Sequence, residues 1–394
     1  MKAIRPVSEP ARIFQFPQQL WDNDAYSSLS IGCNNCPEFS LCGGIHVKAT
    51  LFDCTDLCSC RDKLKCDMIC RFNPSHFVQR VREVNGFELG TIPRTEAVGL
   101  PEFPNMIPFV GHGYKRNEIL TQPAVAISLY ELIDLNTGTL RVSSHKELCA
   151  RFKIQSDALI IASGVDKDSR VEAWWQFANK DLLSALKSIS INLITVPNFS
   201  VLTDVPRWDN LHSIKRIALA WYQLSQAGIP AALHLNARTN ADYDRWLSFI
   251  RERSEIQSLS FEFATGCGYE GRINWHVQQL CRIADGSPQP LTLFVRGGAR
   301  AVSILDKHFS KVVLIDTDPF YKAVRRRKAI MSDSGRVKWI PSLTPKGTPI
   351  DGLLAHNIAT LHKASARRLT LAGRKPGRSA DYANGQSSEV SLSG

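Results

Sequence analysis

The chain has 394 residues, 44% hydrophobic and 22% charged, a composition typical of globular proteins and unlike that of disordered or fibrous chains. No uninterrupted apolar run approaches the ~20 residues of a membrane-spanning helix, so no such helix is predicted. The net charge of +11 favours polyanionic partners such as nucleic acid, although a basic tail on a near-neutral body is the simpler explanation. Residues 1–20 contain no apolar run of signal-peptide length, so we expect a cytoplasmic protein in a reducing compartment.

Five segments are predicted in chain order. An irregular lead-in over residues 1–32 precedes a cysteine-rich module over residues 33–85. Residues 86–157 are expected to form a wrapping loop with extra strands, residues 158–345 a βα barrel-like domain, and residues 346–394 a basic, Ser/Gly-rich disordered tail.

Eight of the eleven cysteines lie between residues 33 and 70 and predict a metal-binding module. Thiolates two residues apart can bind one metal ion, because a tight turn points both sulfur atoms inward. Soft sulfur ligands favour zinc or an iron–sulfur cluster over magnesium or calcium. A disulfide framework is disfavoured by a reducing compartment, and scattered free thiols are disfavoured by the density of the cysteines. The predicted metal ligands are Cys33, Cys36, Cys42, His46, Cys54, Cys58, Cys60, Cys66 and Cys70.

The first part of this module reads C-x2-C-x5-C-G-G-x-H over residues 33–46 and resembles the auxiliary-cluster segment of SPASM domains, which accompany radical-SAM enzymes. Pro37, Gly43 and Gly44 match that segment, whereas His46 stands where a fourth cysteine is usual. The resemblance implies an iron–sulfur cluster, which we favour over zinc, since histidine can also ligate a cluster iron. The C-x3-C-x2-C loop of ordinary radical-SAM chemistry is missing, because residues 54–60 read C-x3-C-x-C.

Short elements are predicted between this module and the barrel-like domain. The apolar run Val125–Leu132 and the alternating run Leu140–Ser144 predict two strands. His145–Phe152 predicts a short helix, with Cys149 in the core.

From residue 158 onward, strands and helices alternate in six consecutive βα units, which predicts an α/β fold with a parallel sheet and right-handed crossovers. A barrel, complete or partial, and an open doubly wound sheet both fit this pattern. We favour the barrel or partial barrel, with earlier strands supplying the rest, since the G-x-G-x-x-G signature of nucleotide-binding open sheets is missing. The predicted strands cover residues 158–163, 192–196, 231–235, 259–263, 291–295 and 312–315, and the predicted helices residues 171–189, 208–226, 241–252, 273–284, 300–309 and 321–331.

Polar residues follow each predicted strand, and in such folds the carboxyl ends of the strands carry the chemistry. Carboxylate and imidazole groups there are candidates for general acid–base catalysis, namely Asp166, His234, Glu262 and Asp316. Other polar groups there are candidates for substrate binding, namely Asn198, Ser200, Asn236, Arg238 and Arg296. Of these, the two arginines could bind a phosphate or a carboxylate. Each residue alone could instead be a helix cap or a turn residue, as Asp316 would be before its helix.

A second resemblance covers about residues 159–313. The stretch Thr195–Ser200, followed by Asp204, resembles the family known as domain of unknown function 4417, which reads T-P-D-F-S-x-Y-x-D-x-P. In this chain Asn198 stands where the family has Asp, and Leu202 where it has Tyr. The resemblance implies an association with bacterial phages or mobile elements, and it implies no particular reaction.

The basic run Arg325, Arg326, Arg327 and Lys328 is a candidate nucleic-acid contact, with a solvated helix end as the alternative. Two functions therefore stay open. The first is an enzyme that acts on a nucleotide or nucleic acid. The second is a non-catalytic nucleic-acid-binding protein whose zinc or iron–sulfur module is structural.

Overall fold

The computed structural model describes residues 83–202, 207–264, 270–332, 335–345 and 347–371, together with Arg80 and two short paired strands near the start of the chain. In chain order, the strands are β1 (Ser28–Leu29), β2 (His46–Val47), β3 (Met106–Pro108), β4 (Ala124–Ser128), β5 (Ile133–Asp134), β6 (Thr139–Leu140), β7 (Leu159–Ser163), β8 (Leu193–Thr195), β9 (Ala231–His234), β10 (Ser258–Glu262), β11 (Thr292–Arg296), β12 (Lys311–Asp316), β13 (Arg327–Met331) and β14 (Val337–Pro341). The α-helices are α1 (Leu129–Leu132), α2 (His145–Phe152), α3 (Asp168–Phe177), α4 (Lys180–Ser188), α5 (Arg207–Gln226), α6 (Asn240–Arg251), α7 (Glu270–Gly286), α8 (Val302–Leu305), α9 (Asp318–Val324) and α10 (Asp351–Leu371).

Eight of these strands form one parallel sheet in the order β3-β12-β11-β10-β9-β8-β7-β4. The two edge strands approach each other, because Phe109 just after β3 forms a parallel bridge with Ala126 of β4. The sheet is therefore a nearly closed barrel flanked by helices, which confirms the predicted α/β barrel-like fold. The six predicted βα units account for six barrel strands, and β3 and β4 from the earlier part of the chain complete the barrel.

The side chains of each strand alternate between the helices and the barrel interior, as the pleat of a strand requires. Phe261 of β10 packs against His276 of α7, with 5.1 Å between ring centroids, so it faces the helices. Its neighbours Ser260 and Glu262 therefore face the interior. The parallel register carries this assignment to the next strands, since Ser260 pairs with His234 and Glu262 with Arg296.

The helices that cover the barrel begin and end at local signals in the sequence. The predicted helix over residues 171–189 is two helices, α3 and α4, because the side chain of Asn179 caps the second by accepting a hydrogen bond from the Leu182 backbone N–H. Trp174 of α3, Trp221 of α5 and Trp246 of α6 are all buried in the layer around the barrel. Cys149 of α2 is buried, as predicted.

The C-terminal part of the described chain differs from the prediction. The helix expected over residues 321–331 ends at Val324, and Arg326 adopts a left-handed φ of 54° before the antiparallel hairpin β13–β14. Residues 351–371, expected within a disordered tail, form helix α10. Asn357 of α10 joins the helix to β13, because its side chain accepts the Ala329 N–H at 2.8 Å and donates to the Arg327 carbonyl at 3.0 Å.

Two further predictions differ at element boundaries. The apolar run Val125–Leu132 is a strand only as far as Ser128, after which α1 begins. The helix expected over residues 300–309 is reduced to the short α8. Among the described helices, none combines the length and hydrophobicity that crossing a membrane requires.

Candidate active site at the carboxyl end of the barrel

Glu262 is the final residue of β10 and points into the carboxyl-end opening of the barrel. We call this opening the mouth, framed by Ser128, Asp166, Asn198, Asn236, Glu262 and Arg296. Only 5% of Glu262 is exposed. Its Oε1 accepts a hydrogen bond from the backbone N–H of Ala264 at 2.7 Å. Its Oε2 is buried and has no hydrogen-bond partner in the described part of the chain.

Burial raises the pKa of Glu262 from its ordinary 4.5 to about 7. The neighbouring charge of Arg296 and the hydrogen bond from Ala264 both act to lower this pKa, but desolvation of the carboxylate outweighs them. A carboxyl group with a pKa near neutrality can both give and accept a proton at pH 7. Glu262 is therefore the strongest candidate for a general acid–base in the mouth.

Arg296 crosses the mouth from the next strand, β11. Its Nε lies 3.5 Å from Oε2 of Glu262, an ion pair in which neither atom is aligned for a hydrogen bond. Its Nη1 donates to the carbonyl of Val165 at 2.8 Å, and its guanidinium lies 5.5 Å from the ring centroid of Phe109. The cation is thus held in place by backbone and an aromatic face, beside a carboxyl group that is not always ionised.

Asp166 follows β7 on the same rim. Its Oδ2 accepts hydrogen bonds from the Ser128 hydroxyl at 3.2 Å and from Nη1 of Arg170 at 3.0 Å. Its Oδ1 accepts the backbone N–H of Lys167 at 2.8 Å. Because Arg296 donates to the residue immediately before Asp166, these contacts bring Asp166, Arg296 and Glu262 to one end of the barrel.

The two asparagines predicted as binding residues contact each other. The side-chain amide of Asn236 donates to Oδ1 of Asn198 at 2.8 Å and to the carbonyl of Phe199 at 2.9 Å. Ser200 faces away from this pair, because its hydroxyl donates to Asp168 at the start of α3 at 2.6 Å. Asn198 and Asn236 therefore form one polar edge of the mouth, while Ser200 fixes a helix start.

His234 lies deeper, inside the barrel. It pairs in register with Ser260, two residues before Glu262, and its Nδ1 lies 3.3 Å from the Ser260 hydroxyl. Complete burial lowers its pKa to about 3, so the imidazole is neutral at pH 7. A neutral, buried imidazole is typical of a core residue that is held by a hydrogen bond. The sequence had instead predicted an acid or base at the rim of the barrel.

Asp316 and Arg238 are engaged outside the group formed by Glu262, Arg296 and Asp166. Oδ1 of Asp316 accepts the backbone N–H of Asp318, the first residue of α9, at 2.9 Å. This contact agrees with the alternative given above, in which Asp316 caps the start of its helix. The positive charge of Arg238 acts on His276 of α7, whose pKa is lowered first by burial and then by this charge. The Arg238 backbone N–H donates to Oδ2 of Asp242, in the first turn of α6, at 2.8 Å.

The basic run at residues 325–328 covers the turn after α9 and the first two residues of β13. Arg325, Arg327 and Lys328 are exposed. Arg326 has a structural contact, because its guanidinium donates to the carbonyls of Thr348 and Pro349. Three of the four predicted nucleic-acid contacts are therefore accessible to solvent.

The predicted metal ligands lie outside the described residues, apart from the backbone of His46, which pairs with Leu29 between β1 and β2. Within the described ranges, no group of three or more His, Cys, Asp or Glu side chains is arranged to hold a metal ion.

Several residues around the mouth were not predicted from the sequence. Tyr321 of α9 stacks on Phe109, with 5.9 Å between ring centroids, and burial raises the pKa of its hydroxyl. Ser128 is the last residue of β4, and Glu131 lies in α1 directly after it. The polar residue Ser128 within the run 125–132 was the signal that this strand ends early.

No protein-family model matches the chain, and a search of curated proteins finds no match either. Function is therefore inferred from the groups that meet at the mouth.

Proposed function

We propose that the protein is an enzyme that acts on a nucleotide or nucleic acid at the mouth, with Glu262 as the general acid–base. The observation that carries this proposal is a buried carboxyl group with a pKa of about 7 and an oxygen that lacks a hydrogen-bond donor among the described residues. Perturbed carboxyl groups of this kind cluster at functional sites, because burial there is maintained at a cost in stability.

In the proposed mechanism, the residues of the mouth divide binding and proton transfer. Arg296 attracts an anionic group of the substrate, and Asn198 and Asn236 orient a neighbouring polar group. Glu262 then exchanges a proton with the reacting group. When a substrate anion neutralises Arg296, the ionised form of Glu262 loses its cationic neighbour. Its pKa then rises further, which favours the protonated form that can act as the general acid.

A panel assay with a matched control tests this proposal. Wild-type protein and the Glu262→Gln variant are incubated with ribonucleotides, deoxynucleotides and short oligonucleotides, and products are followed by mass spectrometry. We expect the substitution to slow conversion by about 10²–10⁴-fold, the usual contribution of general acid–base catalysis. Equal conversion rates for wild type and the variant would contradict the proposal.

The control is Glu255→Gln. Glu255 is also a buried glutamate, with 6% of its side chain exposed and an ion pair to Arg94 at 2.9 Å. It precedes β10, at the opposite end of the barrel from the mouth. Its substitution should leave the conversion rate within about twofold of wild type once the folded fraction is matched, because proton transfer at the mouth does not involve it.

We also propose a metal centre in the cysteine-rich module, with an iron–sulfur cluster favoured over zinc. The spacing of residues 33–70 supports it. Protein purified without oxygen should be brown, absorb near ~400 nm and contain iron and sulfide. A colourless protein with stoichiometric zinc would support a structural zinc module, and a protein with neither metal would contradict the proposal. The resemblance over residues 159–313 supports a bacterial phage or mobile-element context for this enzyme.

The alternative function, nucleic-acid binding without catalysis, is favoured by one observation on the hairpin β13–β14. Lys328 pairs with Ile340, and Ile330 pairs with Lys338, so these four exposed residues share one face. Phosphate contacts by such a face make affinity fall with salt. Replacing Lys328 by Met should reduce the slope of log affinity against log salt by about 1, measured by fluorescence anisotropy. An unchanged slope would exclude this surface.

A further inference from the structure

A polar cavity of about 350 Å³ lies beside the mouth, formed by residues that follow β3, β4 and β7. Three arginines from different elements line it: Arg141 after β6, Arg151 in α2 and Arg170 in α3. His112, Tyr130 and Glu131 also line this cavity. We call this cavity the arginine pocket. Its volume lies within the usual range for sites that hold a small organic ligand.

The three guanidinium groups are not equally neutralised. Arg141 pairs with Asp134 at 3.4 Å, and Arg170 pairs with Asp166 at 3.0 Å. No carboxylate in the described part of the chain forms an ion pair with Arg151, and its buried Nε has no hydrogen-bond partner there. The charges of Glu131 and Glu147 act on Arg151 from beyond ion-pair distance. A half-buried guanidinium without an ion-pair partner favours an anion from solution, because desolvation makes each charge-assisted hydrogen bond stronger.

The electrostatics of His112 and Glu131 agree with a cationic cavity. The pKa of His112 is lowered, first by burial and then by the charges of Arg151 and Arg141. Glu131 accepts the His112 backbone N–H at 2.8 Å, and burial raises its pKa against the lowering effects of that hydrogen bond and of Arg170 and Arg151. The three arginines of the cavity lining outnumber its one carboxylate, Glu131.

The arginine pocket adjoins the mouth through two contacts. Arg170 lines the pocket and binds Asp166 of the mouth. Tyr130 lines the pocket and donates its hydroxyl hydrogen to the carbonyl of Gly164, two residues before Asp166, at 2.8 Å. A substrate with one group in the pocket would therefore extend towards Glu262 and Arg296.

We propose that the arginine pocket binds the phosphoryl group of a small phosphate monoester, which makes a phosphorylated small molecule, such as a nucleoside monophosphate, the substrate class of the mouth. Three guanidinium groups around one cavity match the double negative charge and several acceptor oxygens of a phosphoryl group better than a single carboxylate. The binding of phosphate stands on the pocket alone, whereas the identification of the bound ester as substrate rests on the proposed function.

Calorimetric titration of the full-length protein tests the pocket with three probes: inorganic phosphate, a nucleoside monophosphate and acetate. We expect saturable binding of both phosphates and at least tenfold weaker binding of acetate. Arg151→Met should weaken phosphate binding at least tenfold. Arg151→Lys keeps the charge but loses the bidentate geometry of the guanidinium, so its phosphate affinity should lie between those of wild type and Arg151→Met. Arg94→Met removes the same charge from an exposed side chain at the opposite end of the barrel and should bind phosphate as wild type does.

A second readout reports on the pocket directly. Bound phosphate should raise the pKa of His112, measured by NMR, because an adjacent anion stabilises the imidazolium. The proposal is overturned by any of three results: wild type does not bind phosphate, Arg151→Met binds it as tightly as wild type, or acetate binds equally well. Binding by Glu262→Gln separates the two proposals, since that variant should bind phosphate normally. Unchanged turnover in Glu262→Gln, with phosphate binding lost in Arg151→Met, would refute only the catalytic role.

Discussion

The mouth and the segment over residues 83–94 use buried charge in opposite ways. In the segment, backbone carbonyls accept hydrogen bonds from cationic side chains of α5 and of the turn before β10. The ammonium of Lys215 donates to the Glu88 carbonyl at 2.5 Å and to the Thr91 hydroxyl at 2.6 Å. Arg253 donates to the carbonyls of Ile92 and Pro93. These bonds fasten the segment to α5 and to the turn before β10.

In the mouth, Glu262 is buried to a similar degree but lacks a donor for one oxygen among the described residues. Burial alone therefore does not mark a functional group. A buried charge with backbone partners holds the fold together, whereas a buried charge that retains an unused hydrogen-bonding site can react with a ligand. Removing the buried charge should therefore change stability in opposite directions in the two regions.

The largest effect is expected in the segment over residues 83–94. Arg253→Met removes the donors to the Ile92 and Pro93 carbonyls and the ion pair with Glu255 at 3.5 Å. Because Arg253 is only 4% exposed and Ile92 is buried, the Ile92 carbonyl would stay buried without its donor. We expect a loss of about 3–5 kcal/mol in the free energy of unfolding, measured with urea at pH 7.

Arg94→Met is the control for this prediction. Arg94 also faces Glu255, but 61% of its side chain is exposed, so its loss should cost below about 1 kcal/mol. If Arg253→Met were as mild as Arg94→Met, the contrast between the two regions would fail.

A smaller loss is expected at the rim itself. Gly164 follows β7, and a Cβ there would lie 2.3 Å from the carbonyl oxygen of Thr195 in the neighbouring strand. Gly164→Ala must push β7 and β8 apart next to Asp166, which should cost about 1–3 kcal/mol. Gly99→Ala, where no atom lies within 4 Å of the added carbon, should be close to neutral. Thermal denaturation of both variants measures the difference, and equal melting temperatures would contradict the close approach of the strands.

Substitution of Glu262 should change stability in the opposite direction. The folded state holds the Glu262 proton up to about pH 7, whereas the unfolded state releases it near 4.5, so the folded state binds more protons between these values. The contribution of Glu262 to stability is therefore present below pH 4.5, declines as the pH rises through about 7, and amounts to about 3 kcal/mol over the window. Glu262→Gln should be about 1–3 kcal/mol more stable than wild type at pH 8 by urea unfolding. A variant less stable than wild type at that pH would mean that the carboxylate supports the fold.

The smallest effect is expected at Ser128. Ser128→Ala removes one hydrogen bond to Asp166, which keeps Arg170 and the Lys167 N–H as donors. We expect a loss of about 0.5–1 kcal/mol by urea unfolding, the usual net contribution of one hydrogen bond. A loss beyond about 3 kcal/mol would indicate that Ser128 supports the packing of β4, in addition to its contact with Asp166.

The sequence predicted the barrel-like fold because its strands and helices alternate regularly after residue 158. It was less informative where one pattern spans two structures. The run Val125–Leu132 is apolar throughout, although the chain changes from strand to helix at Ser128, since both elements are buried. The segment after Arg326 is basic and resembles a helix end, but pairing with residues 337–341 makes it a strand.

Helix α10 was missed for a related reason. Ile350, just before the helix, and the buried Leu354 and Ile358 within it recur every four positions, the spacing of one helix face. Basic and serine residues further along dominate the composition of the tail. The position of Glu262 at a strand end was predictable from the βα pattern. Its pKa was not, because that depends on how far neighbouring strands exclude water.

The acid–base role proposed for Glu262 is tested most directly by measuring the pKa of its own carboxyl group. Difference infrared spectroscopy of wild type against Glu262→Gln, recorded from pH 4 to pH 9, isolates the carboxyl band of this one residue. We expect a protonated-carboxyl band that disappears with a midpoint at about pH 7. A midpoint near the ordinary value of 4.5 would show that Glu262 is an ordinary ionised carboxylate, and the proposed acid–base role would be contradicted.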